Sequence, residues 1–363
     1  MSAPENTAVS VSSRGGTTRR LDGVALRTRR WRKRAGAAIA HACHRAAAQV
    51  ERRLGREQAA FSRYADLVRH DVRARESMWV YRGLRALVSH ASGDLARYRP
   101  DQQVPQGLVL FVGPARSGHS LVGSLLDAHP EIVIAHELFA LRHLQRGVAF
   151  ADVVDAIRLN SAIYSELGRG ATGYNYAVPG QYQGRAARLR LVGDKKGNPT
   201  AALLCRHPEL LERLERERPV HLVHVLRNPY DNIAAMARRE HTSLEHAAEL
   251  YFATMRNVAE VKRRAGERVI DVYLDDLTAE PKATLRRLLR ALGIEEAGED
   301  YLEACASIVF GRPNRRPAKD WTPELIRRIE AGLADYPFLA RFCGAGPAPA
   351  ETAAPTASAS AAG

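Results

Sequence analysis

Cysteine is scarce in this chain, and the four present (Cys43, Cys205, Cys305 and Cys343) stand in no paired spacing. That excludes a Cys-built zinc module and a disulfide framework, and predicts the reduced thiols of a cytoplasmic protein. Long apolar runs are missing too. No stretch approaches the ~20 residues needed to span a bilayer, and the longest candidate, AGAAIAHAC, is short and carries His41. The opening MSAPENTAVSVSSRGG is polar and lacks the apolar core of a secretory signal. Aromatic residues make up only 6%, too thinly interleaved with the basic ones to build base-stacking platforms, so no nucleic-acid partner is expected. Acidic residues are also in deficit, with 40 Asp+Glu against 54 Lys+Arg and a net charge of +14. The deficit is local. Residues 1–100 hold 21 basic and 8 acidic side chains, whereas the rest of the chain holds 33 and 32. A basic arm therefore precedes a nearly neutral body.

Composition divides the 363 residues further. Residues 1–22 and the tail 344–363 are low in large apolar side chains and are expected to be disordered. Residues 23–104 are rich in Ala, Arg and Leu and read as a basic helical extension. Its densest cationic cluster, RTRRWRKR (Arg27–Arg34), sits beside Val24, Leu26 and Trp31. That composition suits an anionic membrane surface, and it equally suits a solvated helix packing its Ala/Leu face on the body. The protein is expected in the cytoplasm, and peripheral to a membrane if the arm binds lipid. After a Pro-punctuated linker, short apolar runs alternate with helical segments over 105–343, which predicts an α/β domain with a parallel sheet. Strands are expected near 107–112, 131–134, 189–193, 220–226 and 268–274. Helices are expected near 119–128, 138–167, 199–217, 229–240, 243–265, 281–292 and 322–334. The Gly- and Tyr-rich segment 170–185 reads as a loop over the site.

The stretch GPARSGHS, Gly113–Ser120, lies between the first apolar run and a helical segment. Its spacing, G-x-x-x-x-G-x-[ST], is that of the nucleotide-binding P-loop. Backbone N–H groups at such a helix start bind a phosphate with help from the helix dipole. Gly118 lets the backbone approach the ligand, and Ser117 and Ser120 add hydroxyls. A strand-to-helix turn in any α/β protein has a similar composition, so the loop alone leaves both readings open. The lysine that a P-loop places on the β- and γ-phosphates is missing, since His119 stands there. A cation is offered elsewhere, by Arg116.

FVGPARSGHSLVGSLLDAHPEI resembles the 5′-phosphosulfate loop of the sulfotransferases that use 3′-phosphoadenosine 5′-phosphosulfate (PAPS). It is most similar to the tyrosylprotein sulfotransferase-like branch. Four further segments agree in order: VGDKKGNP, VHVLRNPYDNIAAM, DVYLDDL with PKATLRRLLRALGI, and GRPNRRPAKDWTPELIRRI. The resemblance runs from about Gly107 to Glu330 and leaves out the N-terminal arm. It implies a P-loop-type parallel sheet flanked by helices, with the helical extension in front. It also implies in-line transfer of a sulfuryl group from PAPS to a hydroxyl or amine, without a metal. By the resemblance, Arg116, Ser117, Gly118, His119 and Ser120 hold the 5′-phosphosulfate and Arg116 assists the leaving oxygen. Lys195 stabilises the sulfuryl group in transfer. Arg227 holds the 3′-phosphate, aided by Arg315, Arg316 and Lys319 (with Arg312) in the basic C-terminal loop. Glu137, twenty-one residues after Arg116 in AHELF, matches the catalytic base in spacing and context.

Two positions depart from the family pattern. The serine usual eight residues after the 3′-phosphate arginine is Ala235, and the first hydroxyl of the loop pair is replaced by His119, which makes His119 a rival base. Asn232 and Arg238 are candidates to replace the missing hydroxyl. A nucleotide-dependent kinase and an inactive nucleotide-binding relative therefore stay as alternatives. The acceptor, whether small molecule, carbohydrate, lipid or peptide, is not legible in the motifs, because acceptor choice does not travel with a fold.

Overall fold

Each of the five apolar runs is a strand in the computed structural model, which describes residues 56–91, 93–99, 103–168, 176–309 and 321–347. The strands are β1 (Gly107–Val112), β2 (Ile132–Ala135), β3 (Leu191–Asp194), β4 (Val220–Leu226) and β5 (Val269–Tyr273). They form one sheet in the order β2-β3-β1-β4-β5, parallel throughout. β1 is central, with Val109 opposite Gly193 of β3 and His221 of β4. All six of its residues are buried, as expected of a strand covered by helices on both faces. That double burial is why the run GLVLFV is continuous rather than alternating.

The order of the strands positions the site. From β1 the chain passes through the helix His119–Asp127 to β2 at one edge, while from β4 it moves to β5 at the other. The crevice between β1 and β4 is therefore a topological switch point, where open α/β sheets bind ligands outside the carboxyl ends of their strands.

The helices follow the expected periodicity with physical interruptions. The expected helix 138–167 is two helices, Ala140–Gln145 and Phe150–Leu167, parted at Gly147, whose φ of 78° lies outside the helical region. The expected helix 199–217 is broken at His207–Pro208 into Gly197–Arg206 and Glu209–Glu215. Asn228 caps the helix Pro229–Glu240 by accepting from the Tyr230 and Asp231 amides, and Ser243 caps Leu244–Ala265 in the same way. The helix Pro281–Ala291 lays its leucines on a core that also holds Phe111, Val223 and Leu126. Two short helices, Leu274–Ala279 and Glu299–Ser307, lie outside the segments read as helical in the sequence.

The chain divides into two compact units, residues 1–67 and 68–363. In the first, the described residues are helical from Glu57. In the second, the helix Met78–Val88 buries Val80, Tyr81, Leu84, Leu87 and Val88. Its Arg85 reaches Asp152 and Asp155 of the helix Phe150–Leu167 at 2.8 and 3.0 Å, and the Tyr98 hydroxyl donates to Glu166 at 2.6 Å. The unit that carries the sheet begins at Val68. The cluster Arg27–Arg34 and the tail 344–363 fall outside the described residues, apart from residues 344–347. Among the described residues no helix is long and apolar enough to cross a membrane.

Candidate active site

Four successive strands deliver one segment each to the carboxyl edge of the sheet. The loop Gly113–Gly118 follows β1, Glu137 follows β2, Lys195 follows β3 directly, and Arg227 follows β4 directly.

The first loop turns sharply. Gly113, Arg116 and Gly118 have φ of 120°, 69° and 110°. Gly118 is the N-cap of the helix His119–Asp127, a left-handed position that glycine alone occupies without strain. Arg116 holds such a conformation at a cost of roughly 1–3 kcal/mol, which surrounding contacts must sustain. Those contacts are present. Asn232 Nδ2 donates to the Ala115 carbonyl at 2.8 Å, and Arg227 Nη1 donates to the Arg116 carbonyl at 3.3 Å. The loop after β1 is thus fastened from β4 and the helix behind it.

Among the polar atoms buried here without a hydrogen-bond partner are two donors, Ser117 Oγ and Arg227 Nε. Burial lowers the Arg227 pKa, and the positive charges of Arg116 and Arg238 lower it further, against the raising effect of Asp231. A buried donor left unpaired costs about 1–3 kcal/mol. Ser117 stands just before the start of the helix His119–Asp127, and Arg227 has a second arginine, Arg116, beside it. Asn232, by contrast, has spent its donor on Ala115, and its remaining Oδ1 is an acceptor that a phosphate cannot use.

His119 is turned inward. Its ring meets Phe111 edge-on at 5.7 Å, and Nε2 lies 3.1 Å from the Val112 carbonyl, which places the proton on Nε2. A side chain at Gly197 would strike the ring, since a Cβ there lies 2.5 Å from Cε1 and 2.8 Å from Nδ1. Burial, with Lys195 and His224 nearby, pushes the His119 pKa down to about 3. The imidazole is a neutral part of the core beneath the loop. That placement counts against His119 as a rival base and leaves its backbone amide, at the first turn of the helix, as its contribution to the loop.

Glu137 sits differently. Its φ is 57°, and that of Phe139 is 62°. The strained turn is held from below by Asp194, whose two carboxylate oxygens accept from the Leu138 and Ala140 amides at 2.9 Å each. Burial pushes the Asp194 carboxyl up to about 6, opposed by those amides and by Lys196 and Lys195. The Glu137 carboxylate is bridged by two cations. Oε1 accepts from Lys195 Nζ at 3.0 Å, and Oε2 accepts from Arg75 Nη1 at 3.2 Å. Lys195 also donates to Ser120 Oγ at 3.1 Å, which ties the carboxylate to the phosphate loop. Burial alone would raise the Glu137 pKa, but Lys195, Lys196 and Arg75 outweigh it and hold it at about 2. Its side chain is 34% accessible, whereas that of Lys195 is 7% accessible.

Lys196 acts on Glu137 through its charge but makes its ion pair with another carboxylate. It pairs with Glu76 at 2.7 Å, and the same carboxylate takes Arg142 at 2.7 Å. Lys195, not Lys196, is therefore the lysine that joins Glu137 to the loop after β1. Ala235 is buried on the helix Pro229–Glu240. Arg312, Arg315, Arg316 and Lys319 lie outside the described residues. So does the first part of the segment 170–185. Its described part is anchored away from the phosphate loop: Tyr182 N donates to the Ala128 carbonyl, Gln183 Nε2 to the Ser124 carbonyl, and Gly184 N to Asp127. These partners lie at the far end of the helix His119–Asp127, so this part does not cover the site as expected. Among the described residues, no group of three or more His, Cys, Asp or Glu is placed to hold a metal ion.

Arg75 and Asp194 did not emerge from the sequence as site residues. Asp194 stands inside the quoted VGDKKGNP, yet its task, pinning amides more than fifty residues away, leaves no local signal. Arg75 is one of 21 basic residues in the first hundred.

A model of the Sulfotransferase family matches residues 109–298. Among solved structures, the sulfotransferase domain of an olefin synthase from Synechococcus PCC 7002 is 21% identical, covers 64% of this chain and 90% of its own, and has a TM-score of 0.36. A mouse sulfotransferase complexed with PAP is 10% identical, covers 64% of this chain and 85% of its own, and has a TM-score of 0.38. No curated protein sequence matches.

Proposed function

The chain belongs to the sulfotransferase family, and from that premise we propose that PAPS is its sulfuryl donor and that Glu137, Lys195, Arg116 and Arg227 carry the transfer. The observation that supports this most is the pair of buried, unpartnered donors Ser117 Oγ and Arg227 Nε at the β1/β4 crevice. They fit a donor that carries a phosphate at each end of its ribose. In this reading the loop Gly113–Ser120 takes the 5′-phosphosulfate, through its amides, the Ser117 and Ser120 hydroxyls and Arg116. Arg227 takes the 3′-phosphate, joined by the cations at 315, 316 and 319. PAPS supplies an activated sulfuryl group; the rest is done by residues of the chain.

In the transfer, the acceptor oxygen or nitrogen forms a bond to sulfur while the bond from sulfur to the 5′-phosphate oxygen breaks. The bond pair leaves with 3′,5′-adenosine bisphosphate (PAP). The acceptor proton passes to Glu137. Lys195, already within 3.1 Å of Ser120 on the loop, offsets charge on the transferring group, a preorganised electrostatic role. A carboxylate held at about 2 is ionised but weakly basic, and a general base works best with a pKa nearer the working pH. A bound phosphosulfate gives Lys195 a second anion to serve. Its hold on Glu137 slackens, and the base strengthens as the donor arrives.

Calorimetric titration with PAP, beside ATP and AMP and without Mg²⁺, tests this reading. Tight binding of PAP alone that survives raised salt is expected, since a specific buried site is screened less than the basic arm. Equal binding of ATP, or binding that needs Mg²⁺, would return the kinase alternative. Absence of PAP binding would mark an inactive relative.

A further inference from the structure

Arg75 stands ahead of the family-matched residues 109–298, yet its guanidinium touches the site. We propose that Arg75 is a positioning residue for Glu137, a cation that this chain brings to the base from its own N-terminal segment. The inference rests on the reading of Glu137 as the base.

Its side chain is 3% accessible. A buried guanidinium is tolerated only when its donors are met, and here they are met in three directions. Nε donates to the Val68 carbonyl at 3.0 Å, Nη2 to the Arg69 carbonyl at 3.2 Å, and Nη1 to Glu137 Oε2 at 3.2 Å. The guanidinium carbon lies 5.4 Å from the centre of the Tyr164 ring, and the Tyr164 hydroxyl donates to the same Val68 carbonyl at 2.8 Å. Two of the three hydrogen bonds end on backbone, so this cation has no freedom to follow an incoming anion.

A second path joins the same two places. The Arg75 carbonyl accepts from the Tyr81 hydroxyl at 3.0 Å, and Asn160 Nδ2 donates to that hydroxyl at 2.8 Å. Asn160 Oδ1 in turn accepts from the His136 amide at 2.6 Å. The strained turn at 136–139 is thus tied to residue 75 through its backbone as well as through the Glu137 carboxylate. The short helix Val72–Arg75 that presents the arginine is capped by Asp71, which accepts from the Arg73 and Ala74 amides.

The two cations on Glu137 are unlike. Lys195 has four carbons of flexible stem and a second partner in Ser120, so it can turn toward a donor. Arg75 is fixed. When Lys195 turns, Arg75 keeps Oε2 in place and leaves Oε1 to meet the acceptor. The groups that face the Glu137 carboxylate are Arg75 from the N-terminal segment, Lys195 and Lys196 from the end of β3, and neutral His119 from the helix after β1.

The test is a carbon-13 titration of the glutamate side-chain carboxyls in the full chain, with the Glu137 signal assigned by its loss in Glu137→Gln. It is run on the wild type, Arg75→Gln and Arg75→Lys. PAP affinity and the rate of PAP release from PAPS with water as acceptor are measured alongside. In Arg75→Gln the Glu137 signal is expected to titrate higher by roughly one pH unit, as for loss of one neighbouring opposite charge. PAP affinity should be unchanged and the rate of release should fall. Arg75→Lys, which keeps the charge, should titrate near the wild type. A folded Arg75→Gln whose Glu137 titrates as in the wild type, with its rate unchanged, overturns the proposal. If Arg75→Gln fails to fold, Arg75→Lys decides. A lysine cannot reach all three acceptors, so a reduced rate at unchanged PAP affinity is expected, and a wild-type rate overturns the proposal. Glu137→Gln separates the two levels. Retained PAP release in that variant removes the base itself, whatever Arg75 does. Its loss, with Arg75 variants unaffected, removes the Arg75 inference alone.

Discussion

The two halves of the proposed site are finished to different degrees. On the phosphate side, Ser117 Oγ and Arg227 Nε are buried without partners. On the acid-base side, both oxygens of Glu137 and both oxygens of Asp194 are hydrogen-bonded, and Lys195 already has two acceptors. An unpaired buried donor is costly until an anion meets it, so the first half gains from binding. The second half is a preorganised circuit in which every charge is met before a ligand arrives. Binding and chemistry are therefore expected to come apart under mutation.

The largest effect should be on the chemical half. In the proposed mechanism Glu137→Gln removes the proton acceptor and should slow sulfuryl transfer by about 10²–10⁴-fold, while PAP binds at least as tightly, because Lys195 loses its competing anion. Steady-state PAP release, read against a PAP titration, checks both halves of that statement. Next comes the binding half. Arg227→Ala should weaken PAP by about 10–100-fold, the worth of one or two hydrogen bonds to a charged group, with a smaller loss of rate at saturating donor. An equal loss of rate and affinity in both variants would erase the distinction.

Acid should also separate the halves, because their titrating groups have different ordinary ranges. His119 has a folded pKa pushed down from 6.5 to about 3. The unfolded chain then binds more protons between those values, so the stability His119 supplies is present above about 6.5 and is lost progressively as pH falls toward 3. Glu137 is lowered from 4.5 to about 2. Its contribution is present above about 4.5 and is lost as pH falls through 2. Four further histidines, His129, His143, His221 and His224, are also lowered by burial and share the loss near neutral pH, while Asp194, pushed up to about 6, acts in the opposite sense. Melting temperature should therefore begin to fall near neutral pH and fall further below about 4.5. His119→Phe should reduce the first slope without abolishing it, and Glu137→Gln should reduce the second. Thermal melts at pH 7, 5.5, 4 and 3 read this directly.

A smaller effect is expected at Asn232. Its amide holds the Ala115 carbonyl, so Asn232→Ala should loosen the loop and weaken PAP by about 10-fold or less, the worth of one ordinary hydrogen bond. Transfer at saturating donor should be nearly unchanged.

Much of this was legible in the sequence because it is local. Every strand stands within two residues of its expected bounds, since a strand buried on both faces shows as a continuous apolar run. Glu137 and Lys195 were singled out by resemblance to the family's motifs and Arg227 also by its place at the end of an apolar run; all three follow such runs, and parallel topology sends those ends to one edge. What was not legible is what depends on distant partners. Asp194 holds amides at 138 and 140, and Arg75 reaches a carboxylate 62 residues away. Neither pairing has a spacing that a sequence displays. The inward turn of His119 was hidden for a similar reason. It depends on a space kept open by Gly197, which in the sequence is only the glycine before Asn198 and Pro199.

The most direct measurement is PAP titrated calorimetrically into the wild type, Arg227→Ala and Glu137→Gln under one set of conditions. Tight binding to the wild type, equal or tighter binding to Glu137→Gln, and clear weakening in Arg227→Ala are expected. Binding that is weakened equally by the two substitutions, or untouched by Arg227→Ala, would contradict a site divided into a donor cradle and a separate catalytic circuit.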